Sequence, residues 1–253
     1  MLDLDLQALR RLVETQHYRP LFVTVSGAHL YGFPSPDSDV DLRGAHLLPL
    51  RAVVGLDLPE QTVERKLDLA STEVELVSHD LGKYLRLLVK NNGYVMEQIF
   101  SPLIVVGEDF LHELRPLARR CITRHHYHHY RGFFATQRKL LNKQQPKILK
   151  TVLYAYRVLL SGIHLLRTGE VVASLPQLAE EYQRPFLLEL IAQKQQEKGT
   201  APALDWTFHD QQLRELEELL DRSYQQSPLP AERDRQAVHQ FLVDYRLRPE
   251  PLQ

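Results

Sequence analysis

The chain has 253 residues, 43% hydrophobic and 25% charged, and its 31 basic against 32 acidic side chains leave a net charge of −1. Such a composition excludes a disordered or fibrous chain. It also excludes the global basic field that draws proteins onto nucleic acid, so any anionic partner must be met by local clusters. The single cysteine, Cys121, excludes an internal disulfide, a paired-cysteine redox centre and a cysteine cage for zinc.

Leu2, Leu6, Leu9, Leu12 and Val13 predict an amphipathic opening helix. This N-terminal stretch lacks the basic, apolar and small-residue order of a signal peptide. No apolar run approaches the roughly 18 residues of a membrane span. A reducing cytoplasm, with no membrane partner, is therefore the expected setting.

Short β-branched runs follow at 21–25 (LFVTV), 40–50 (VDLRGAHLLPL), 73–78 (EVELVS) and 103–107 (LIVVG), and these predict strands. Between the last two, Leu81, Tyr84, Leu85, Leu88 and Val89 predict a helix with Asp80 as its N-cap. After residue 110 the strand pattern stops, and apolar residues recur at steps of three and four through 130–143 and 148–169. Gly169, Gly199, Pro202, Pro228 and Pro230 divide that half into about five helices. The expected fold class is α+β, a mixed sheet flanked by helices over 1–112, followed by an all-α helical domain over 113–253.

The densest chemistry lies in residues 26–44, SGAHLYGFPSPDSDVDLRG. Ser26 and Gly27 follow an apolar strand directly, where small side chains let a ligand approach the backbone. Asp39 and Asp41 are spaced i, i+2, so on a strand both carboxylates point to one side while Val40 and Leu42 point to the other. Like charges held that close call for a cation between them, and Mg²⁺ is held by a few carboxylates together with substrate phosphate oxygens. The run at 73–78 supplies a third acid on its own polar face. Glu75, nearer the strand's middle, is the first choice and Glu73 the second. Taken alone, SPDSD is also an ordinary turn signal.

The string from Ser26 to Gly44 resembles the DNA polymerase beta-like nucleotidyltransferase superfamily, and within it the predicted nucleotidyltransferases associated with RNA ligase and RNA repair. Those proteins carry G-S-H-x-Y-G followed by P-D-S-D-x-D-L-R-G. Here Ser26-Gly27-Ala28-His29 stands in place of Gly-Ser-His, which leaves the phosphate-gripping serine open, while the DxD is intact. Residues 81–102 carry a second, fainter match, and beyond residue 120 the match is weak.

The resemblance implies a polymerase-beta-like fold in which Asp39, Asp41 and Glu75 bind two Mg²⁺ (or Mn²⁺) ions. The reaction would move a nucleotide from an NTP to an acceptor hydroxyl, an RNA end first of all, with release of pyrophosphate. Ser26 and Gly27 would contact the triphosphate; His29, Ser38 and Arg43 would orient phosphate or acceptor, with an ordinary ion pair the equal alternative for Arg43, and Lys150 and Arg157 would cover the nucleotide. Two alternatives stay open, a protein or small-molecule acceptor and a non-catalytic nucleotide- or RNA-binding regulator.

For an RNA acceptor, the helical face with Arg131, Arg138, Lys139, Lys143 and Lys147 is the expected phosphate contact. Tyr127, Tyr130 and Phe133 lie interleaved with it as possible base-stacking rings. In the neighbouring RHHYHHYRG at 124–132, His125 or His126 with His129 has helical spacing suited to a shared metal. No H-E-x-x-H motif accompanies it, and a solvent-facing His/Tyr surface is the plainer reading.

Overall fold

The computed structural model describes residues 4–69, 72–196 and 204–248. Gly199 and Pro202, expected helix breakers, and Leu2 of the opening helix lie outside these residues. Contacts divide the chain into two units that are not consecutive halves. A sheet unit joins Leu4–Ser26, Asp39–Cys121 and the segment from Glu232; a helical unit joins Gly27–Ser38 with Ile122–Ala231.

In the sheet unit, helix α1 (Leu6–Glu14) starts at Asp5, whose carboxylate accepts from the Ala8 amide at 2.9 Å. The strands are β1 (Pro20–Ser26), β2 (Val40–His46), β3 (Thr62–Leu69), β4 (Thr72–Asp80) and β5 (Ile104–Val106), in the order β3-β4-β2-β1-β5. Only β2 and β4 pair in parallel; the other neighbours are antiparallel. One face carries Val23, Val25, Val40, Leu42, Val74, Leu76 and Val105, which pack with Leu9 and Val13 of α1 in a single core. The opposite face carries Phe22, whose ring meets Tyr84 edge-on at 5.3 Å and stacks on Phe110 at 5.8 Å. Those two rings belong to α4 (Leu81–Leu88) and α6 (Glu108–Arg119); α5 (Gly93–Phe100) lies between them in the chain.

Two strand expectations change. The run at 40–50 stops at His46, and a short helix α3 (Leu50–Val53) follows Pro49, which has no amide to continue a ladder. β3 was not anticipated. Its sequence TVERKLDL places Glu64, Lys66 and Asp68 on one face and Val63, Leu67 and Leu69 largely on the other, and its charges suit its position at the sheet edge.

Helix α12 (Arg235–Leu247) belongs to the sheet unit. Phe241 and Tyr245 pack on Phe110, and Arg246 Nη2 reaches both oxygens of Asp80 at 2.7 and 3.0 Å. Asp80 is 1% exposed. It caps α4 through the Gly82 amide at 2.9 Å and accepts from the Leu48 amide at 3.2 Å, while Arg246 also donates to the Leu48 carbonyl. One buried carboxylate thus joins β4, α4, the turn after β2 and the last helix.

The helical unit contains α2 (Gly27–Tyr31), a 3₁₀ turn at Arg124–His126, α7 (Tyr127–Lys143), α8 (Leu149–Thr168), α9 (Leu175–Glu181), α10 (Phe186–Gln196) and α11 (Trp206–Gln225). Among the described residues six α-helices run from Tyr127 onward, α12 included, and most of α6 also lies after residue 110, against the five or so expected there; Arg184 and Pro185 part α9 from α10. The unit is built around α8, whose residues are buried on almost every side. Gly169 ends it in the left-handed conformation, φ +77°. Tyr31 and Phe33 pack edge-on against Tyr154 at 5.6 and 5.4 Å.

Three stability measurements follow from this architecture. Arg246→Ala strips a buried carboxylate of its cation and should cost about 3 kcal/mol in urea unfolding; Arg248→Ala, at the exposed pair with Glu113, should cost under about 1 kcal/mol. A Cβ on Gly44 would lie 2.1 Å from the Phe22 carbonyl oxygen on the neighbouring strand. Gly44→Ala should therefore cost about 3 kcal/mol, at the upper end of overpacking penalties. His129 has its pKa lowered from 6.5 to about 4, first by burial and then by the His126 and Arg157 charges. The unfolded chain takes up this proton near pH 6.5 and the native protein only near 4. Its contribution is intact above that window and is lost as pH falls through it, so the unfolding midpoint of His129→Gln should drop less over the same range than that of the wild type.

Candidate active site

The site is built from strand pairing. Ser26, the last residue of β1, pairs with Asp41 on β2; Asp41 pairs with Glu75 on β4, and Glu75 with Lys66 on β3. Directly paired residues face the same side, so these four side chains form one polar row across four strands, opposite the face that packs on α1. Val40, Leu42, Val74 and Leu76 are buried on the far side and hold the row in register.

Arg43, two residues beyond Asp41 on the same strand, joins two of the acids. Its Nη2 lies 2.8 Å from Asp41 Oδ1 and 3.4 Å from Glu75 Oε1. Its Nη1 donates to the Leu42 and Glu75 carbonyls, each at 3.1 Å. Glu73 is turned to another partner, the Lys66 ammonium, at 2.9 Å. Lys66 has its pKa raised by that hydrogen bond and charge, and further by the charges of Glu75 and Asp39. Asp39 itself immediately precedes β2 and is exposed. Among the described residues, no group of three or more His, Cys, Asp or Glu side chains is arranged to hold a metal ion. Sequence reasoning passed over Lys66 because it passed over β3; the alternation of Glu64, Lys66 and Asp68 with Val63, Leu67 and Leu69 carried the signal.

The other candidates divide between the units. Ser26 and Arg43 belong with the acidic row, whereas Gly27, His29, Ser38, Lys150 and Arg157 belong to the helical unit. Gly27 opens α2 with φ +63°, a conformation that favours glycine. Ser38 closes the turn in PSPDSD: its hydroxyl accepts from the Ser35 amide at 2.9 Å and lies 3.1 Å from the Ser35 hydroxyl. The same turn holds the Asp37 carboxyl below its usual range, through the Ser35 hydroxyl, its own amide and the charges of Lys194 and Lys150. Lys150 is exposed. Arg157 is fully buried, its guanidinium 3.8 Å from the Tyr31 ring centre and 5.9 Å from that of Phe133.

The basic helical face is largely engaged within its own unit. Arg131 pairs with Glu217 at 2.7 Å and Asp221 at 3.4 Å, and Arg138 with Asp210 at 2.6 Å. Lys147 caps the carbonyls of Leu141 and Gln144 and lies over the Trp206 ring. Lys139 and Lys143 are exposed. In the 124–132 segment, Tyr127 stacks on Tyr224 at 4.4 Å, with His125 and His128 around them, while Tyr130 is buried.

No helix among the described residues is long and apolar enough to cross a membrane. The family model described as "RNA repair pathway DNA polymerase beta family" matches residues 1–244. The chain is 36% identical over 151 residues to "Uncharacterized protein MJ0002" of Methanocaldococcus jannaschii, a match that spans 60% of this chain and 62% of that protein. It is 25% identical over 246 residues to "Uncharacterized protein YcgL" of Bacillus subtilis, covering 92% of this chain and 81% of that one. A solved nucleotidyltransferase-like protein from Exiguobacterium sibiricum aligns with a TM-score of 0.35 at 15% identity, over 87% of this chain and 74% of that one. With its strand–SG–DVD arrangement and the mixed sheet that carries it, and with a family match running over nearly its whole length, the chain belongs to the RNA repair pathway DNA polymerase beta family.

Proposed function

We propose that the protein transfers a nucleotide from an NTP to an acceptor hydroxyl, most plausibly at an RNA end, with pyrophosphate leaving. The observation that supports this reading is the row of Ser26, Asp41 and Glu75 in register across neighbouring strands, with Asp39 just before β2. The donor set fits a hard divalent cation: all oxygens, carboxylates foremost, two of them already drawn to one cationic nitrogen of Arg43. Asp39, Asp41 and Glu75 would hold Mg²⁺ or Mn²⁺. When bound, such ions neutralise phosphate charge and make the acceptor hydroxyl more acidic.

Within this reading each side chain has a limited task. The backbone at Ser26 and Gly27 donates to the triphosphate, where small side chains leave room. The carboxylates would hold the cation that neutralises the phosphate, since phosphoryl chemistry depends mainly on positioning and charge. Lys139, Lys143 and Lys150, exposed on the helical unit, are the side chains best suited to contact acceptor or nucleotide phosphates. A cytoplasmic location belongs to the same reading.

One observation favours keeping a second acceptor class. Arg131, Arg138 and Lys147 are occupied by partners of their own unit, which leaves a thinner basic surface than the sequence promised. A protein or small-molecule acceptor needs no such surface.

Incubation with each labelled NTP, first with total RNA and then with protein extract, tests both. Label should enter RNA and depend on a divalent ion. Asp41→Asn and Glu75→Gln should each lower transfer by more than about a hundredfold, because even outer-shell partners of metal sites cost roughly ten- to a hundredfold. Glu73→Gln should remain within about threefold of wild type, as its partner Lys66 lies at the exposed edge. Full activity in Asp41→Asn would rule out the acidic row as the reacting centre.

A further inference from the structure

We infer that Arg43 is the resident counter-cation of the acidic row and competes with the divalent ion for Asp41 and Glu75. The inference rests on the reading of that row as a metal-holding site. It assigns Arg43 a different task from contacting substrate phosphate: it sets how tightly, and under which conditions, the site loads.

The geometry carries the argument. Asp41 and Glu75 are direct neighbours across a parallel pair, so their carboxylates would repel if both stood ionised with nothing between them. Nη2 of Arg43 is within ion-pair distance of both, at 2.8 and 3.4 Å. Nη1 is tied to two backbone carbonyls, those of Leu42 and Glu75, so the guanidinium is anchored there by the sheet itself. A side chain held by four acceptors, two of them carbonyls that a metal-holding role does not need, is fixed in place rather than swept there by chance. The trio carries a net charge of −1 with Arg43 and −2 without it, and a divalent ion approaching the acids meets that difference directly. Arg43 and Asp41 are partly shielded from solvent, at 22% and 28% side-chain exposure, and Glu75 is more open at 44%, so solvent weakens the effect without removing it.

The closing measurement is Mn²⁺ binding to the full chain without nucleotide, followed by the electron paramagnetic resonance signal of free Mn²⁺. Arg43→Gln removes the charge and should bind Mn²⁺ roughly three- to tenfold more tightly than wild type, in keeping with two partly exposed ion pairs. Its metal-free unfolding temperature should fall below that of wild type and recover more on adding Mn²⁺. Arg43→Lys keeps a charge but cannot span two carboxylates and two carbonyls, so its affinity should lie between the two. Should the glutamine chain not fold, the lysine chain alone decides the matter. Equal or weaker Mn²⁺ binding in the Arg43 variants, with wild-type binding abolished by Asp41→Asn, overturns the role of Arg43 and leaves the metal site standing. Wild-type Mn²⁺ binding that Asp41→Asn does not change overturns the metal site, and the role of Arg43 with it.

Discussion

The parallel register between β2 and β4 is the constraint on which the candidate site depends. It sets Asp41 beside Glu75, and through the antiparallel neighbours it brings Ser26 and Lys66 into the same row. Side chains on a strand alternate, so a slip of one residue would set Asp41 against Val74 or Leu76 and drive a carboxylate toward the core. The core forbids that slip. Val40, Leu42, Val74 and Leu76 are almost completely buried against α1, and each would have to surrender its place. At the far end of the same pair, His46 stands opposite Asp80, and His46 Nδ1 lies 2.9 Å from the Ser78 hydroxyl. Asp80 is in turn bound by Arg246 of α12, so packing pins the register on one face and a buried ion pair pins it at one end.

Electrostatics then explains why the acidic row is interleaved with basic residues. Two unit charges 4 Å apart near a protein surface interact by about 4 kcal/mol, enough to unsettle a strand end if all carboxylates stood alone. The sheet answers locally: Arg43 sits with Asp41 and Glu75, and Lys66 with Glu73. The glutamates of β4 are thereby separated in kind. Glu75 shares its cation with Asp41 in the row, whereas Glu73 is paired at the exposed sheet edge with a lysine from β3.

Much of this was legible in the chain, and what was not has a common cause. The apolar run at 21–25, the alternation at 73–78 and the Asp80 cap announce themselves through neighbours a few residues apart. The same alternation set Asp41 on the polar face of β2, whereas Asp39, expected on that face too, lies just before the strand. β3 was hidden because an edge strand needs only Val63, Leu67 and Leu69 half-buried, and its charges read as loop. The division into units was hidden because it is made by distant partners. Tyr31 and Phe33 find Tyr154, more than a hundred residues away, and Arg246 finds Asp80. The basic helical face looked open for a similar reason: Asp210, Glu217 and Asp221, which neutralise Arg138 and Arg131, lie on α11, a helix that no local pattern connects with α7.

That pairing gives the near-zero net charge a structural meaning. Beneath the balance of 31 basic and 32 acidic residues, two of the arginines that sequence alone offers to a polyanion, Arg131 and Arg138, are paired with carboxylates of the same unit. Attraction for an RNA chain grows with the number of phosphates a protein can neutralise, and paired arginines contribute little to that count. Lys139, Lys143 and Lys150 remain exposed for the task, too few to gather polyanions from a distance. If the protein transfers nucleotides as proposed, its choice of acceptor therefore has to be made at short range. It would rest on the fit of a hydroxyl and its neighbouring phosphate to the polar row, in which Asp41 stands between Ser26 at the end of β1 and Glu75 on β4.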